Sequence, residues 1–352
     1  MELVEKLIRQ QELTKEEYVR LLSQYENKEI ADKLKEEAIR LRKKYYGDKV
    51  FIRGLIEFTN YCKNNCYYCG IRGGNKNAVR YRLTKEDILS CCENGYELGF
   101  RTFVMQGGED LYYSDEYMAE IVREIKERYP DCAVTLSIGE RSYESYKMLK
   151  EVGADRYLLR HETANERLYS YLHPSNLSLR NRMKCLEDLK SLGYQVGAGF
   201  MVGSPTQTLE DLAEDLVFLK EFEPQMVGIG PFIPHHDTKF ASEQAGSVEL
   251  TVFLLSIIRI ILPKVLLPAT TALATASEDG REKGLKAGAN VVMPNLSPLN
   301  NRKKYDLYDN KVSTGGEAAE SLEMLKKLIE KAGYRMVKER GDAVDVKRQE
   351  SI

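Results

Sequence analysis

From residue 50 onward, strand-like apolar segments alternate with amphipathic helical segments, and this alternation constrains the fold of the chain more than any other feature. One helical segment, 84–98, begins at a Thr cap and ends before Gly99, as helices in proteins commonly do. Eight strands that alternate with helices over about 250 residues match the length and rhythm of a (β/α)8 barrel. The sequence therefore predicts an α/β fold of the TIM-type (β/α)8 barrel class, with a six-strand partial barrel as the main alternative.

Residues 1–46 and 336–352 lie outside this alternation. The first segment has helical periodicity and dense charge but no strand-like run, which predicts an N-terminal helical cap. No long linker divides the rest, so we predict one barrel domain at 47–335 and a charged C-terminal tail at 336–352. The predicted strands are 50–60, 102–107, 133–139, 156–162, 195–202, 226–233, 266–273 and 290–295. The predicted helices are 84–98, 115–128, 142–152, 178–192, 209–221, 248–262 and 280–287, with one more at 317–332.

Composition and charge exclude several classes of protein. Lys plus Arg number 52 and Asp plus Glu 54, so no net charge attracts the chain to nucleic acid or to an anionic membrane. The most apolar run, 252–262, is interrupted by Arg259 and stopped by Pro263, so we expect a buried helix that is too short to span a membrane. The first residues are unlike a signal peptide. Seven cysteines, three of them clustered, suit an enzyme of the reducing cytoplasm.

Three cysteines, Cys62, Cys66 and Cys69, lie in one short segment directly after the first predicted strand. Four thiolates would complete a tetrahedral site, whereas three leave one position open. A 4Fe-4S cluster held by three thiolates has an open iron that can bind a small molecule and transfer an electron to it. The pattern therefore predicts such a cluster, and a zinc site or three unrelated cysteines are the alternatives.

Catalytic residues of such barrels lie at the C-terminal ends of the strands, and candidate residues of this chain fall there. Gly107-Gly108-Glu109 follows the second predicted strand, where bare backbone permits the close approach of a ligand. Glu162 and Arg182 are predicted to clamp an amino-acid ligand, with the carboxylate on its ammonium group and the guanidinium on its carboxylate. For Arg182, a solvated surface charge is the alternative.

Other candidates lie farther along the chain. Arg160, Thr270 and Thr271 offer a cation and two hydroxyls that suit an anionic or carboxylate-bearing substrate, although threonines are also common strand formers. His161 is either a ligand or a packed, hydrogen-bonded core histidine. The histidines at 235–236 could bind a metal, but we expect an exposed loop pair.

The cysteine spacing, with Tyr68 before the last cysteine, resembles the signature of the radical S-adenosylmethionine (SAM) enzymes, and Gly107-Gly108-Glu109 resembles their glycine-glycine-glutamate motif. Further blocks resemble the biotin synthase-like branch of this superfamily, which includes biotin synthase, methylornithine synthase and the [FeFe] hydrogenase maturase HydE. The resemblance covers about residues 45–300 and is closest to HydE; its blocks are 157–165, 226–235, 268–272 and 288–295. It implies a full barrel with a SAM-bound cluster at its top, and reductive cleavage of SAM to a 5′-deoxyadenosyl radical.

The resemblance also implies a substrate, partners and site residues. The substrate would be a cysteine-bound iron carbonyl cyanide complex, made by a tyrosine-cleaving maturase and passed toward a scaffold GTPase during assembly of the hydrogenase H-cluster. Electrons would come from a low-potential donor such as ferredoxin or flavodoxin. Cys62, Cys66 and Cys69 would hold the cluster. The residues implied at the SAM site are Tyr68, Gln106, Gly108, Ser137, Glu162, Arg182 and Met201, and those implied to face the substrate are Arg160, Met226, Thr270, Thr271 and Tyr305.

The chain departs from these relatives in its remaining cysteines. Many HydE chains carry three further cysteines near the C-terminus for a second cluster, whereas the stretch 310–322 has none here, so we expect one cluster. Biotin synthase needs cysteines inside its barrel, and the ends of predicted strands two to four carry none. Methylornithine synthase, which rearranges lysine, is the enzyme alternative, and a zinc- or iron-sulfur-binding module is the non-enzyme alternative. The other cysteines are predicted to be small core residues: Cys91, Cys92, Cys132 and Cys185.

Overall fold

Parallel strands form the inner wall of the molecule in the computed structural model, which describes residues 1–312 and 318–345. The strands are β1 (Lys49–Ile52), β2 (Gly54–Thr59), β3 (Thr102–Gly107), β4 (Ala133–Ser137), β5 (Arg156–Leu158), β6 (Gln195–Ala198), β7 (Met201–Val202), β8 (Met226–Val227), β9 (Gly230–Pro231), β10 (Val291–Val292) and β11 (Arg335–Val337). The helices are α1 (Glu2–Gln10), α2 (Lys15–Leu22), α3 (Lys28–Tyr46), α4 (Lys85–Leu98), α5 (Asp115–Arg128), α6 (Tyr143–Glu151), α7 (Glu166–Leu172), α8 (Leu179–Ser191), α9 (Leu209–Phe222), α10 (Val248–Ile261), α11 (Thr271–Ala276), α12 (Gly280–Leu285), α13 (Leu299–Arg302) and α14 (Ala318–Lys331). The stretch 310–322 and the tail 336–352 therefore lie partly outside the described residues.

The sheet closes into a ring. Six strands pair in parallel in the order β2-β3-β4-β5-β6-β8. Beyond β8, Met226 bridges to Leu266, and Pro268 bridges to Val291 of β10. β10 pairs with β1, and Asn295 bridges back to β2. The predicted (β/α)8 TIM-type barrel is thus confirmed, and the six-strand partial barrel is not what the chain forms.

Several predicted strands are interrupted. The first breaks at Arg53 into β1 and β2, and the predicted strands at 195–202 and 226–233 are each divided into two short strands. The break near 199 reflects close packing, since Gly199 has a φ of +152° and a Cβ there would lie 2.0 Å from Gly228 O. Two glycines therefore let adjacent strands approach at the mouth of the barrel.

The seventh predicted strand, 266–273, is wrong in its second half. Residues 266–268 contribute only the two bridges described above, and Thr270 then caps α11 by accepting a hydrogen bond from Leu273 N at 3.4 Å. Threonine is a favourable N-cap residue, and this local preference ends the strand. Thr270 and Thr271 consequently mark the start of a helix rather than the wall of the barrel.

The N-terminal segment forms three helices, α1 to α3, as predicted, and α3 packs on α10. The predicted buried helix is confirmed, because every residue of α10 from Leu250 to Ile261 is buried. Arg259 is accommodated there by donating to Gly288 O at 3.1 and 3.0 Å and to Asn290 Oδ1 at 3.2 Å. Within the described ranges, no helix is both long and apolar enough to cross a bilayer. The four cysteines outside the loop are buried, as predicted.

The C-terminal segment is part of the barrel. β11 pairs in parallel with β1, so the predicted boundary after residue 335 falls inside a strand. Asp342 Oδ1 lies 2.7 Å from Arg156 Nη2 and accepts from Gln195 Nε2 at 2.9 Å. Arg156 is fully buried, and a buried guanidinium requires such a partner. The described part of the tail is therefore anchored across the N-terminal ends of the strands.

Candidate active site

The loop after β2 carries the three cysteines and is tied by its backbone to three neighbouring segments. These hydrogen bonds are Lys63 N to Glu109 O (2.9 Å), Tyr67 N to Leu172 O (3.0 Å) and Gly70 N to Leu307 O (2.9 Å). Gly108, just beyond β3, is required by this packing, because a Cβ there would lie 2.2 Å from Tyr61 O and 2.8 Å from Cys62 Cβ. The absence of a side chain at this glycine therefore lets its backbone pack directly against the cysteine loop.

The three thiols suit a cluster better than a single metal ion. Among the described residues, the group of potential ligands whose atoms all lie within 4.8 Å of one another is His235, His236 and Asp309, so the thiols are spaced more widely than that. Ligands of one tetrahedral zinc ion, with bonds of about 2.3 Å, lie about 3.8 Å apart. Three thiols that do not all lie within 4.8 Å of one another fit a cluster, whose ligands bind different irons, better than one zinc ion.

Burial raises the pKa of all three loop thiols, in the case of Cys69 to about 12. For Cys66 the proximity of Cys69 and Cys62 adds to the shift, because neighbouring thiolates repel one another. Thiols with a raised pKa keep their protons in the metal-free protein and release them when a metal ion binds to the sulfur. The loop is therefore a site at which metal binding is coupled to proton release.

Tyr68 is positioned by a histidine that the sequence did not identify. His173 Nδ1 donates to Tyr169 O at 2.8 Å, so its Nε2 is an acceptor for the Tyr68 hydroxyl at 3.1 Å. Burial lowers the pKa of His173 to about 4, which keeps the ring neutral in this role. Its helix, α7, was not predicted either, so no sequence signal marked this residue.

Arg182 of α8 is buried, which rules out a solvated surface charge. Its Nε lies 2.7 Å from Glu140 Oε1, and its Nη1 donates to Arg160 O at 3.4 Å. Burial opposes the charged form, but Tyr169 and the Glu140 carboxylate outweigh it and raise the pKa of Arg182. A permanent cation is thus fixed beside the cysteine loop, and its carboxylate partner in the structure is Glu140 rather than Glu162.

Glu162 adopts a left-handed backbone conformation with a φ of +67°, which is unusual for a residue with a Cβ. Hydrogen bonds on both sides hold it there: Glu162 N donates to Gly199 O at 3.0 Å and Met201 N donates to Glu162 O at 3.2 Å. Strain of this kind is typical of functional sites. The side chain lies beside Arg160, with Glu162 Oε2 3.0 Å from Arg160 Nη2.

Some charged atoms of this pair have no hydrogen-bond partner. Arg160 Nε and Nη2 and Glu162 Oε2 are buried and make no hydrogen bond with any described residue, although the 3.0 Å contact brings the two charges together. Buried charged atoms normally find partners. Both residues follow the end of β5, where catalytic residues of such barrels lie, so their unpartnered atoms fit a polar ligand that is hydrogen-bonded by both.

The strand register brings other predicted residues to one level of the barrel. Gln106 is paired with Ser137, and Gly197 is paired with both Leu158 and Met226. A Cβ at Gly197 would lie 2.6 Å from Leu158 Cδ1 and 3.1 Å from Met226 Cε, so these two side chains fill the space beside it. Met226 Sδ in turn accepts from the buried Arg53 at 3.0 Å.

Tyr305 closes the remaining side of this level. Burial and the Glu57 carboxylate raise the pKa of Tyr305, and a hydrogen bond to the Gln106 side chain opposes the shift. Lys311 Nζ bonds to Glu57 and to Tyr305 O. Glu57 and Lys311 were missed by the sequence analysis. An acidic residue within the apolar strand β2 was the signal that could have identified Glu57.

The remaining predicted residues have simpler surroundings. Met201 of β7 packs among apolar residues that include Tyr68. Thr270 lies beside β9, with its Oγ1 3.0 Å from where a Cβ of Gly230 would stand. His161 is the packed core histidine, with its Nε2 3.1 Å from Asp215 Oδ1.

Both histidines at 235–236 were predicted to be exposed, but only one of them is. His236 is exposed and lies 2.7 Å from Asp309 Oδ1. His235 is buried, and its Nδ1 accepts from Asp237 N at 3.0 Å. Both imidazole rings therefore already have hydrogen-bond or ion-pair partners among nearby carboxylates and backbone atoms.

Three comparisons relate the chain to known proteins. It matches the family model described as the Radical SAM superfamily over residues 56–219. It is 47% identical to the [FeFe] hydrogenase maturase subunit HydE of Thermotoga maritima, covering 95% of this chain and 94% of that protein. It is 31% identical to 3-methylornithine synthase of Methanosarcina acetivorans over 86% of each chain. The crystal structure of methylornithine synthase (PylB) superposes with a TM-score of 0.83 at 28% identity, covering 95% of this chain and 97% of that one.

Proposed function

The chain belongs to the radical SAM superfamily and, within it, to the family of the hydrogenase maturase subunit HydE, and on this basis we propose that it acts on a cysteine-bound iron carbonyl cyanide precursor during assembly of the [FeFe] hydrogenase H-cluster. Family membership makes the protein a radical SAM enzyme and implies a 4Fe-4S cluster and SAM. When bound, the cluster supplies the electron that cleaves SAM to a 5′-deoxyadenosyl radical. The observation that carries the proposal is 47% identity to HydE along 95% of the chain.

In this proposal one cluster is held by Cys62, Cys66 and Cys69. Each binds as a thiolate, and the loop backbone contacts to Glu109, Leu172 and Leu307 keep the three sulfurs in place. The open position is left for SAM. Nothing in the rest of the described chain is needed as a fourth protein ligand.

Glu162 and Arg182 are proposed to bind the ammonium and the carboxylate of SAM. The support is that Glu162 Oε2 is buried without a hydrogen bond to a described residue, so it can accept one from a ligand, and that Arg182 is a buried cation close enough to Cys66 to affect its pKa. Arg182 also keeps its charge, as its raised pKa indicates. The other residues proposed for the SAM site are Tyr68, Gln106, Gly108, Ser137 and Met201.

The substrate is proposed to lie deeper in the barrel. Arg160 supplies the cation, since its Nε and Nη2 make no hydrogen bond with a described residue and an iron cyanide complex is anionic. Thr271 and Thr270 add hydroxyls at the start of α11. Met226 and Tyr305 line the same level through the strand register and the Tyr305–Gln106 hydrogen bond.

The proposed partners follow from the same chemistry. A low-potential donor such as ferredoxin or flavodoxin would supply one electron per cleavage, and other hydrogenase maturases would deliver the substrate and receive the product. A reducing cytoplasm would keep the loop thiols and the iron complex intact.

The cluster assignment is tested by anaerobic reconstitution. The wild-type protein should bind about four irons per chain, and added SAM should change the electron paramagnetic resonance spectrum of the reduced protein. Cys66→Ala should lower the iron content, whereas Cys185→Ala, which removes a buried cysteine of a helix, should leave it unchanged. Zinc without iron, or a spectrum indifferent to SAM, would contradict the proposal.

The second candidate is methylornithine synthase activity, favoured by 31% identity and by the TM-score of 0.83. One anaerobic preparation should be assayed in parallel for hydrogenase activation in a reconstituted maturation mixture and for conversion of lysine. Activation without lysine conversion is the expected result. Methylornithine production without activation would replace the first candidate by the second.

A further inference from the structure

The segment that carries the cluster ligands is unusually basic. Between residues 61 and 84 the chain has five Lys and Arg residues and no Asp or Glu, whereas the whole chain has 52 basic and 54 acidic residues. The five are Lys63, Arg72, Lys76, Arg80 and Arg82. A concentration of this kind in a nearly neutral protein creates a local positive potential.

The folded structure adds a second basic segment to the first. Asn60 Nδ2 donates to Val79 O at 2.9 Å and to Lys304 O at 2.7 Å, so residues 303–304 lie against the basic segment. Lys63 is paired with Glu109 at 3.2 Å and Arg82 with Asp110 at 2.7 Å, but Lys76 and Lys303 are exposed and form no ion pair with a described residue. These two lysines therefore contribute charge that the protein does not neutralise locally.

Large apolar side chains are exposed at the same place. Of the eleven that are exposed among the described residues, four lie here: Leu111 (79%), Val79 (65%), Tyr112 (57%) and Tyr61 (36%). The guanidinium of Arg82 lies between two of them, 3.8 Å from the Tyr61 ring centre and 4.8 Å from that of Tyr112. We call Tyr61, Val79, Leu111 and Tyr112, with Lys76, Arg82 and Lys303, the loop-side patch.

An apolar centre with a charged rim is the usual composition of a protein-docking surface. Tyr61 directly precedes Cys62 in the chain, so a protein on this patch would stand beside the cluster ligands. We propose that the loop-side patch docks a small acidic electron-carrier protein, which gives up one electron to the cluster, with no transfer of atoms. This inference rests on the proposed function, because it requires a redox centre in the loop.

The test compares two triple variants that change the same chemistry at different places. The patch variant is Leu111→Ser with Lys76→Glu and Lys303→Glu. The control is Met324→Ser with Lys326→Glu and Lys327→Glu on α14, which removes one exposed apolar side chain and reverses two exposed lysines on a helix that packs on α12 and β11. Both variants leave the cysteines and every proposed ligand contact unchanged.

Two measurements are made with flavodoxin as the probe. Binding of oxidised flavodoxin is followed by calorimetry, and SAM cleavage is driven either by reduced flavodoxin or by dithionite. The patch variant should bind at least tenfold more weakly and cleave SAM at least tenfold more slowly with flavodoxin at low salt, while matching wild type with dithionite. The difference should shrink near 1 M salt, where the screening length falls to about 3 Å.

Three other results would contradict the proposal. Equal flavodoxin binding and turnover in the patch variant and the wild type would overturn the docking surface, as would an equal loss in the control. Self-association of the wild type that the patch variant abolishes would assign the patch to a second copy of the chain instead. Absence of SAM cleavage by wild type with dithionite would overturn the proposed function itself, and flavodoxin binding would then be judged on the calorimetry alone.

Discussion

Arg160 and Glu162 lie in contact, with their charged groups 3.0 Å apart, although one is a proposed substrate residue and the other a proposed SAM residue. The two sites are therefore coupled through this pair. Changes at Arg160 should affect SAM binding as well as substrate binding, whereas changes at Thr271, which is not part of the pair, should separate the two functions.

Glu162→Gln should weaken SAM binding about ten- to hundredfold. The substitution keeps the size of the side chain and the left-handed backbone but removes the charge that would meet an ammonium group, and such a charge-assisted contact is worth about 1.5–3 kcal/mol. SAM affinity is measured by equilibrium binding to the reconstituted protein, with iron content as the control. An unchanged affinity would remove Glu162 from the SAM site.

Arg182 and Glu140 allow structural support to be separated from ligand binding. Arg182→Gln alone leaves the Glu140 carboxylate without its cation and should lower the free energy of unfolding by about 3 kcal/mol. Adding Glu140→Gln should restore much of that stability, because no charge is then left unpaired. SAM binding should stay weak in the double variant if Arg182 holds the SAM carboxylate. Recovery of both properties together would show that the residue only supports the fold.

Thr271→Val should abolish hydrogenase activation while leaving SAM cleavage intact. Thr270 is less suitable for this test, because its hydroxyl caps α11 and its replacement by Val should cost about 1 kcal/mol of stability. Thr270→Ser retains a hydroxyl and the cap and is the matched control. Full activation by Thr271→Val would exclude this hydroxyl as a substrate contact.

His173 should make the metal-free protein sensitive to mild acid. Its pKa is lowered by burial to about 4, below the value of about 6.5 in an unfolded chain, so the unfolded state binds the proton first. Its contribution to stability is complete above pH about 6.5 and is lost as the pH falls toward 4, by up to about 1.4 kcal/mol per pH unit. Denaturant unfolding at several pH values should show a shallower acid slope for His173→Gln. His236→Gln should keep the wild-type slope at the lower pH values, because Asp309 raises the pKa of His236 and its ring is already protonated there in both states.

Local sequence signals predicted the elements that depend on local interactions. The helix at 84–98 was correct to within one residue because the Thr84 side chain and Asp87 form a capping box. The cysteine loop was likewise visible, since the spacing of its three cysteines along the chain marks it. The same local rule explains the error at 270–273, where a favourable cap overrode an apolar, strand-like composition.

Side-chain partners across the barrel could not be predicted in this way. Arg182 and Glu140 are 42 positions apart, and only the packing of α8 against α6, which follows Glu140 in the chain, brings them together. The strand β11 was also missed, because three residues of mixed polarity become a strand only when β1 is available to pair with them. Long-range contacts of this kind require the folded barrel.

The closure of the ring has a mechanical consequence. From β2 to β6 the wall is a continuous ladder, but it narrows to single bridges on either side of residues 266–268 and again between β2 and Asn295. Regions held by few backbone hydrogen bonds open most readily. Residues 266–268 should therefore open transiently more often than the strands of the continuous ladder. The cysteine loop follows β2, which pairs along its length with β3, whereas α11 directly follows residues 266–268. The backbone should therefore be stiffer at the proposed cluster loop than at the start of α11, where the proposed substrate contacts lie.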